Sequence, residues 1–328
     1  MLPLELVDTI LDFVESSVTL AACTLVCRDW LASARFHLLS HIQLESAKID
    51  SFLEHLDSDG TRFTATLANV VSLRIDGFDL SSAPTVLPYK FPNLQFLSFK
   101  AFQADSFNVI VTWLLANPSL RSLTLSGDWD DSEGESAAAV YEGPTLPNLT
   151  HLDLDCPLQA LLCWLLSQPI GPTPSSLVLR DAIWDEEVSI IGRYFAVVGN
   201  RLESLVLSFP RKASRTLDLT QLSNLRSLTF ECYSPAMPRL VLHASQSPGL
   251  IKLENLTMTF LGMLAVFPTE EDRLAWRQLN EHLCSAQSEF RQLRTIRFRG
   301  MSPNVDGKQL LPLPIGVASI ETENTCMP

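Results

Sequence analysis

LRSLTL, residues 120–125, carries leucine at its first, fourth and sixth positions, and that spacing decides how the chain is read. Successive side chains of a strand point to opposite faces. Leu123 and Leu125 therefore share one face, and Ser122 and Thr124 the other. The same order, apolar–x–x–Leu–x–apolar, returns as VVSLRI from Val70, LQFLSF from Leu94 and LTHLDL from Leu149. It continues as PSSLVL from Pro174, LESLVL from Leu202, LRSLTF from Leu225, LENLTM from Leu253 and LRTIRF from Leu293. Successive starts lie 24, 26, 29, 25, 28, 23, 28 and 40 residues apart, an interval too regular to come from a leucine-rich composition alone.

A period of 20–29 residues with this core is the signature of leucine-rich repeats. The segments between the strands support it. SFNVIVTWLLANPSL, PLQALLCWLLSQ and EEVSIIGRYFAVVGN each show helix-like apolar spacing just ahead of the next strand. The 40-residue step contains PTEEDRLAWRQLNEHLCSA, with Thr269 placed as an N-cap, acids in the first turn and Leu274, Leu279 and Leu283 as the apolar face. Strand alternating with helix, where no single unit buries both its faces, predicts an α/β fold: a curved solenoid with one parallel sheet. The array spans 70–302 as about nine irregular repeats, because the Asn or Cys usual after the last leucine is mostly missing; Cys156 comes one position early and Cys232 late. Residues 46–69 read as a linker whose helix IDSFLEHL, with Ile49, Phe52, Leu53 and Leu56 on one face, caps the solenoid. Residues 303–328 hold Pro, Gly and Asn without periodicity and read as a loose tail.

Ahead of the array stands LPLELVDTILDFV, residues 2–14. At 100° per residue, Leu4, Val7, Leu11 and Val14 form one apolar stripe, and Leu2, Leu6, Ile10 and Phe13 form a second. Pro3 suits the first turn of a helix. A surface helix needs one apolar stripe for its own core, so the second calls for a partner in this chain or on another protein. TLAACTLVCRDWLASARFHLL follows from Thr19, which reads as an N-cap, and is apolar nearly all round until Arg28. Two helices of this length make no core of their own, so residues 1–45 form a small helical module that needs further support.

Leu2-Pro3-x-Glu5-Leu6, then Ile10, Leu20 and Val26-Cys27-Arg28-x-Trp30 match in order and approximate spacing the F-box motif, and the following Arg35-Phe36-His37-Leu38-Leu39 resembles the fungal F-box protein family. The resemblance implies a helical module that docks on a Skp-type adaptor, and through it on a cullin scaffold that carries ubiquitin-transfer machinery. It also implies that Leu2, Pro3, Glu5, Leu6, Ile10, Leu20, Val26, Cys27 and Trp30 form or support the adaptor face. Val26 and Trp30 fit a core anchor and an interface anchor equally well. Repeats behind such a module imply a receptor that selects protein substrates for ubiquitination, with no catalytic residues and no cofactor of its own. The alternative reading is a leucine-rich-repeat interaction scaffold in which the F-box-like segment merely caps the solenoid, its second stripe packed on residues 42–69.

Composition narrows the field further. The chain of 328 residues has a net charge of −13 and a sequence pI near 4.9. That balance argues against nucleic-acid and anionic-membrane partners, both of which call for a basic patch. No apolar run reaches the roughly 20 residues of a bilayer span, and no secretory signal is visible. Seven scattered cysteines read as reduced thiols, which with the rest predicts a cytoplasmic or nuclear location.

Three clusters invite a chemical reading. Cys23, Cys27, His37 and His41 have zinc-ligand residue types, but nine residues rather than about twelve separate the inner pair, and the cysteines sit in an apolar helix. His151 and Asp153 suggest a catalytic triad, but residues two apart on one strand face diverge and no nucleophile elbow accompanies them. The acidic stretch GDWDDSEGE, residues 127–135, contrasts with a basic last repeat holding Arg291, Arg294, Arg297 and Arg299. Arg297 and Arg299 share a strand face and offer a site for a phosphorylated or acidic peptide; the plainer reading is solvated charge balancing the acidic remainder.

Overall fold

Every one of the nine LxxLxL stretches becomes a strand that starts two residues after its first apolar residue. The computed structural model describes residues 3–14, 16–58, 67–130, 145–169, 171, 174–180, 187–209, 217–232, 237–261, 270–284, 290, 292–300 and 319–323. They divide into two units.

The first unit begins with α1 (Leu4–Asp12), α2 (Ser17–Cys23) and α3 (Arg28–Ser40). It continues with β1 (His41–Glu45), α4 (Ser46–Ser58), β2 (Ser72–Asp76), β3 (Phe96–Ala104), α5 (Phe107–Ala116) and β4 (Ser122–Trp129). Strands β1 to β4 pair in chain order and in parallel. Ala101, at φ 49°, bulges out of β3, and the pairing with β4 resumes at Phe102. The rings of Phe91 and Phe99 pack on Trp113 from α5, with centroids 6.3 and 5.1 Å away, and so fix that helix against the strands.

The second unit comprises β5 (His151–Asp155), α6 (Leu158–Ser167), β6 (Ser176–Leu179), α7 (Val188–Val198) and β7 (Ser204–Phe209). Then come β8 (Ser227–Cys232), α8 (Met237–Ser245), β9 (Asn255–Phe260), α9 (Glu270–Cys284), β10 (Thr295–Arg299) and β11 (Ser319–Glu323). Its seven strands also pair in chain order and in parallel. Register aligns the repeats residue by residue: Leu152, Leu177, Leu205, Leu228, Leu256 and Ile296 stand opposite one another, all 0% exposed. A parallel pair needs a crossover of about a dozen or more residues, usually a helix, and the inward leucines form the core on which these crossovers pack. Both units are therefore leucine-rich-repeat stacks of α/β type.

Stitching between repeats falls in the turn before each strand. Asn93 Nδ2 donates to Ala68 O at 2.8 Å, Ser175 Oγ to Thr150 O at 3.3 Å, and Asn224 Nδ2 to Asn200 O. Main-chain bonds run through the same turn. The N–H groups of Glu203, Arg226, Glu254 and Arg294 each donate to the carbonyl at the equivalent point of the preceding repeat, at 2.8–2.9 Å. These four positions alternate in sign, and Arg226 Nη1 meets Glu254 Oε1 at 3.3 Å.

The structure departs from the sequence reading at six points. In the first unit the ladder starts at β1, inside the stretch assigned to the helical module. In the second unit it ends at β11, inside the stretch read as a loose tail. Leu39-x-x-Ile42-x-Leu44 and Val317-x-x-Ile320-x-Thr322 keep the spacing of the other repeats, the second starting 24 residues after Leu293. The segment read as one helix from Thr19 is two, broken at 24–27. Its N-cap is Ser16, whose Oγ accepts from Thr19 N at 3.3 Å. Pro3 stands at the N-cap of α1 and not within its first turn. On α9 Leu279 and Leu283 are buried as expected, but Trp276, between the rings of Phe260 and Phe298, takes the third inward place and Leu274 is exposed. Thr269, expected to cap that helix, lies outside the described residues. The expected helix over IDSFLEHL is present as part of α4, and it buries Ile49.

Candidate functional site

The three N-terminal helices build a core from Val7, Leu11, Leu20 and Ala34, with Val14, Cys23, Trp30 and Leu38 packed around it. That arrangement assigns the two stripes of α1. Val7 and Leu11 are each 1% exposed, whereas Leu6 is 50%, Ile10 44% and Phe13 82% exposed. Val18 on α2 and Leu25 and Val26 in the turn after it are more than half exposed as well. Among the described residues, seven of the thirteen large apolar side chains left in solvent lie between Leu6 and Phe36. Scattered exposed leucines need no explanation; their concentration on one small bundle is the surface feature that does.

The nine residues expected to form or support the adaptor face separate into groups. Leu6, Ile10 and Val26 are exposed apolar side chains, and Pro3, Glu5 and Cys27 are exposed beside them in sequence. Leu20 is buried in the bundle core, and Trp30 is half-buried against that core. Leu2 lies outside the described residues. Sequence reading placed Phe13 in the second stripe of α1 but did not single out Val18 and Leu25 as surface residues. Leu25 and Val26 lie in the break between α2 and α3, and the unbroken apolar run of the sequence carries no signal of that break. The scaffold reading packs the second stripe of α1 on residues 42–69; among the described residues Leu6, Ile10 and Phe13 are exposed, and residues 59–66 of that stretch lie outside the described residues.

The outward strand positions are mostly polar, with Phe96 of β3 an exposed exception. Arg180, following β6, bridges two carboxylates: Nε donates to Asp153 Oδ1 at 3.1 Å and Nη1 to Glu231 Oε2 at 3.4 Å. Partial burial disfavours its charge, but Asp153, Glu231 and Asp155 outweigh that and raise the guanidinium above its ordinary value. Asp153 is thus engaged by Arg180. Arg297 and Arg299 are half-buried on β10, opposite Thr257 and Thr259 of β9 on one side and Glu321 and Glu323 of β11 on the other. Cys23, Cys27, His37 and His41 do not form a metal-holding group, and no set of three or more His, Cys, Asp or Glu does so among the described residues. No described helix is long and apolar enough to cross a membrane. The acidic stretch of the sequence lies outside the described residues beyond Asp130.

Repeat spacing, parallel register and buried leucines place the chain in the leucine-rich-repeat fold class. No family model matches the chain, and no curated protein sequence matches it significantly. Among solved structures it is similar to the TLR13–ssRNA13 complex, at 13% identity and a TM-score of 0.45, covering 79% of this chain. The chain spans only 36% of that receptor chain. It is similar also to internalin C2 of Listeria monocytogenes, with 14% identity, TM-score 0.30 and coverage of 79% and 84% of the two chains. Internalin InlF of the same organism gives 12% identity, TM-score 0.24 and coverage of 79% and 88%.

Proposed function

We propose that the chain is the substrate-recognition subunit of a Skp–cullin–F-box ubiquitin ligase. Its N-terminal helices would dock on the Skp-type adaptor, and its repeats would hold a protein target. One observation carries the reading: the α1 stripe that continues the Leu2-Pro3-x-Glu5-Leu6 motif is the stripe left in solvent, while the other stripe is consumed by the bundle core. Such a subunit works by geometry. Holding a target beside the charged enzyme raises its effective concentration, so the chain needs no catalytic group or cofactor. The reading places it in the cytoplasm or nucleus, where that machinery acts.

Co-expression with a Skp-type adaptor tests it. The expected result is a 1:1 complex that is recovered on size-exclusion chromatography and lost with a Leu6→Ala/Ile10→Lys variant. An equally soluble chain that forms no such complex overturns the proposal. Affinity purification from cells with proteasome activity blocked then separates partners. Adaptor and cullin should depend on the docking face, while substrates should be retained by the variant too.

A further inference from the structure

The last strand pairing raises a question that the repeat pattern alone does not. β11, sequence SIETE, adds in parallel to the edge of β10, sequence TIRFR, with Arg297 opposite Glu321 and Arg299 opposite Glu323. Along that stretch the cationic positions of the last regular repeat are matched one for one by anionic positions of the strand that follows. The other neighbour of β10 puts Thr257 and Thr259, which carry no charge, at the same two positions. The complementarity therefore lies wholly on the β11 side.

We infer that the β10 edge is a binding edge for an extended acidic peptide, and that residues 319–323 of the chain itself occupy it as an internal pseudo-ligand. An added strand gains main-chain bonds from an open edge whatever its sequence, and side chains at alternate positions select which strand is taken. Here the alternate positions are two arginines, and the selected chemistry is carboxylate or phosphate at a spacing of two residues, as in Glu-x-Glu. The internal strand competes at the high effective concentration that its tether gives it, so an external acidic segment gains access only when that strand leaves. The inference does not depend on the F-box reading, because β10 and β11 both belong to the second unit and no residue of the N-terminal helices enters it.

The probe is a fluorescein-labelled peptide of sequence VASIETENT, residues 317–325, titrated with full-length chains and followed by anisotropy. Wild-type chain should bind it weakly. The Glu321→Lys/Glu323→Lys chain should bind it about tenfold or more tightly, because its own strand no longer matches the arginines. Adding Arg297→Glu/Arg299→Glu to that chain should abolish the gain, because its own lysine-bearing strand then matches the edge again, and a peptide carrying lysine at both glutamate positions should bind the Glu321→Lys/Glu323→Lys chain far more weakly than the acidic peptide does. Equal binding to wild type and to the Glu→Lys chain overturns the pseudo-ligand. Equal binding of acidic and lysine-substituted peptides by one chain overturns the charge selection. Should the substituted chains misfold, amide exchange on intact wild type supplies a second readout. Protection at Ser319–Glu323 should fall severalfold from 50 mM to 500 mM salt while that of β8 is unchanged, and salt-independent protection overturns the inference.

Discussion

Tyr194 is 1% exposed on α7, and its hydroxyl has no hydrogen-bond partner among the described residues. Glu187, two turns earlier and also buried, shows the opposite treatment of a polar group: its Oε1 accepts from Leu158 N at 2.8 Å and so caps the start of α6 from the start of α7. Burying a hydroxyl unpaired costs about 1–3 kcal/mol, whereas a buried acceptor matched to a helix N-terminus stabilises. Tyr194→Phe should therefore leave the protein as stable or up to about 1 kcal/mol more stable by denaturant unfolding. The pH dependence follows from the same burial, which raises the Tyr194 hydroxyl and pushes the Cys232 thiol up to about 12. Both groups stay neutral in the fold but ionise more readily in the unfolded chain. The unfolded state then binds fewer protons, and stability must fall as pH rises. For Cys232 that contribution is complete below about pH 9 and is lost as pH climbs towards 12. Urea midpoints between pH 9 and 11 should decline less steeply for a Tyr194→Phe/Cys232→Ala chain than for wild type; parallel slopes would contradict this origin.

Among the elements, the strands were legible and their neighbours less so. Each LxxLxL stretch sets a strand because period-two alternation puts Leu228 and Phe230 inward and Ser227 and Thr229 outward, and this needs only local spacing. β1 shares that spacing but follows α3 without a break, and an apolar run after a helix reads as more helix. β11 was obscured because one short strand among Pro and Gly has no second apolar face to declare it. Nor does spacing tell which stripe of α1 faces inward, since that is decided by Leu20 and Ala34 on other helices. A contrast between two neighbouring positions tests where the stability of a repeat resides. Leu228→Ala, at a position with no exposure and leucines of β7 and β9 on either side, should cost about 2–5 kcal/mol. Arg226→Glu, two residues earlier, reverses one member of the alternating row, but its side chain is 61% exposed. Solvent screening then limits the loss to below about 1 kcal/mol, and most of it should vanish in 0.5 M salt. Equal losses from the two would show that the charge row, and not the leucine stack, fixes the register.

For the chain as a whole, the question is how an exposed apolar surface on the N-terminal helices and a mostly polar repeat face coexist in one polypeptide. Within the first unit the connection is direct: α3 ends at Ser40, β1 begins at His41, and the Ser40 carbonyl accepts from Val71 N at 2.8 Å just ahead of β2. The helical bundle is thus fused to the first strand pair and does not hang from a linker. A partner docked on Leu6, Ile10 and Phe13 would be held at a fixed orientation to β1 and β2, as a receptor that positions its target requires. That arrangement makes the two stripes of α1 separable by adjacent substitutions. Ile10→Lys places a charge where the side chain is already 44% in solvent, so folding stability should change by no more than about 0.5 kcal/mol. At a desolvated interface the same lysine should cost about 2–4 kcal/mol of binding, enough to remove the adaptor from a pull-down. Leu11→Lys, one residue on, forces an unpaired charge among Val7, Leu20 and Ala34 and should unfold the bundle outright. Circular dichroism melting alongside adaptor capture reads both effects. If Ile10→Lys melts like Leu11→Lys, the exposed stripe is structural and the docking face is lost as an explanation. If it melts like wild type and still captures the adaptor, the partner of that face is something else.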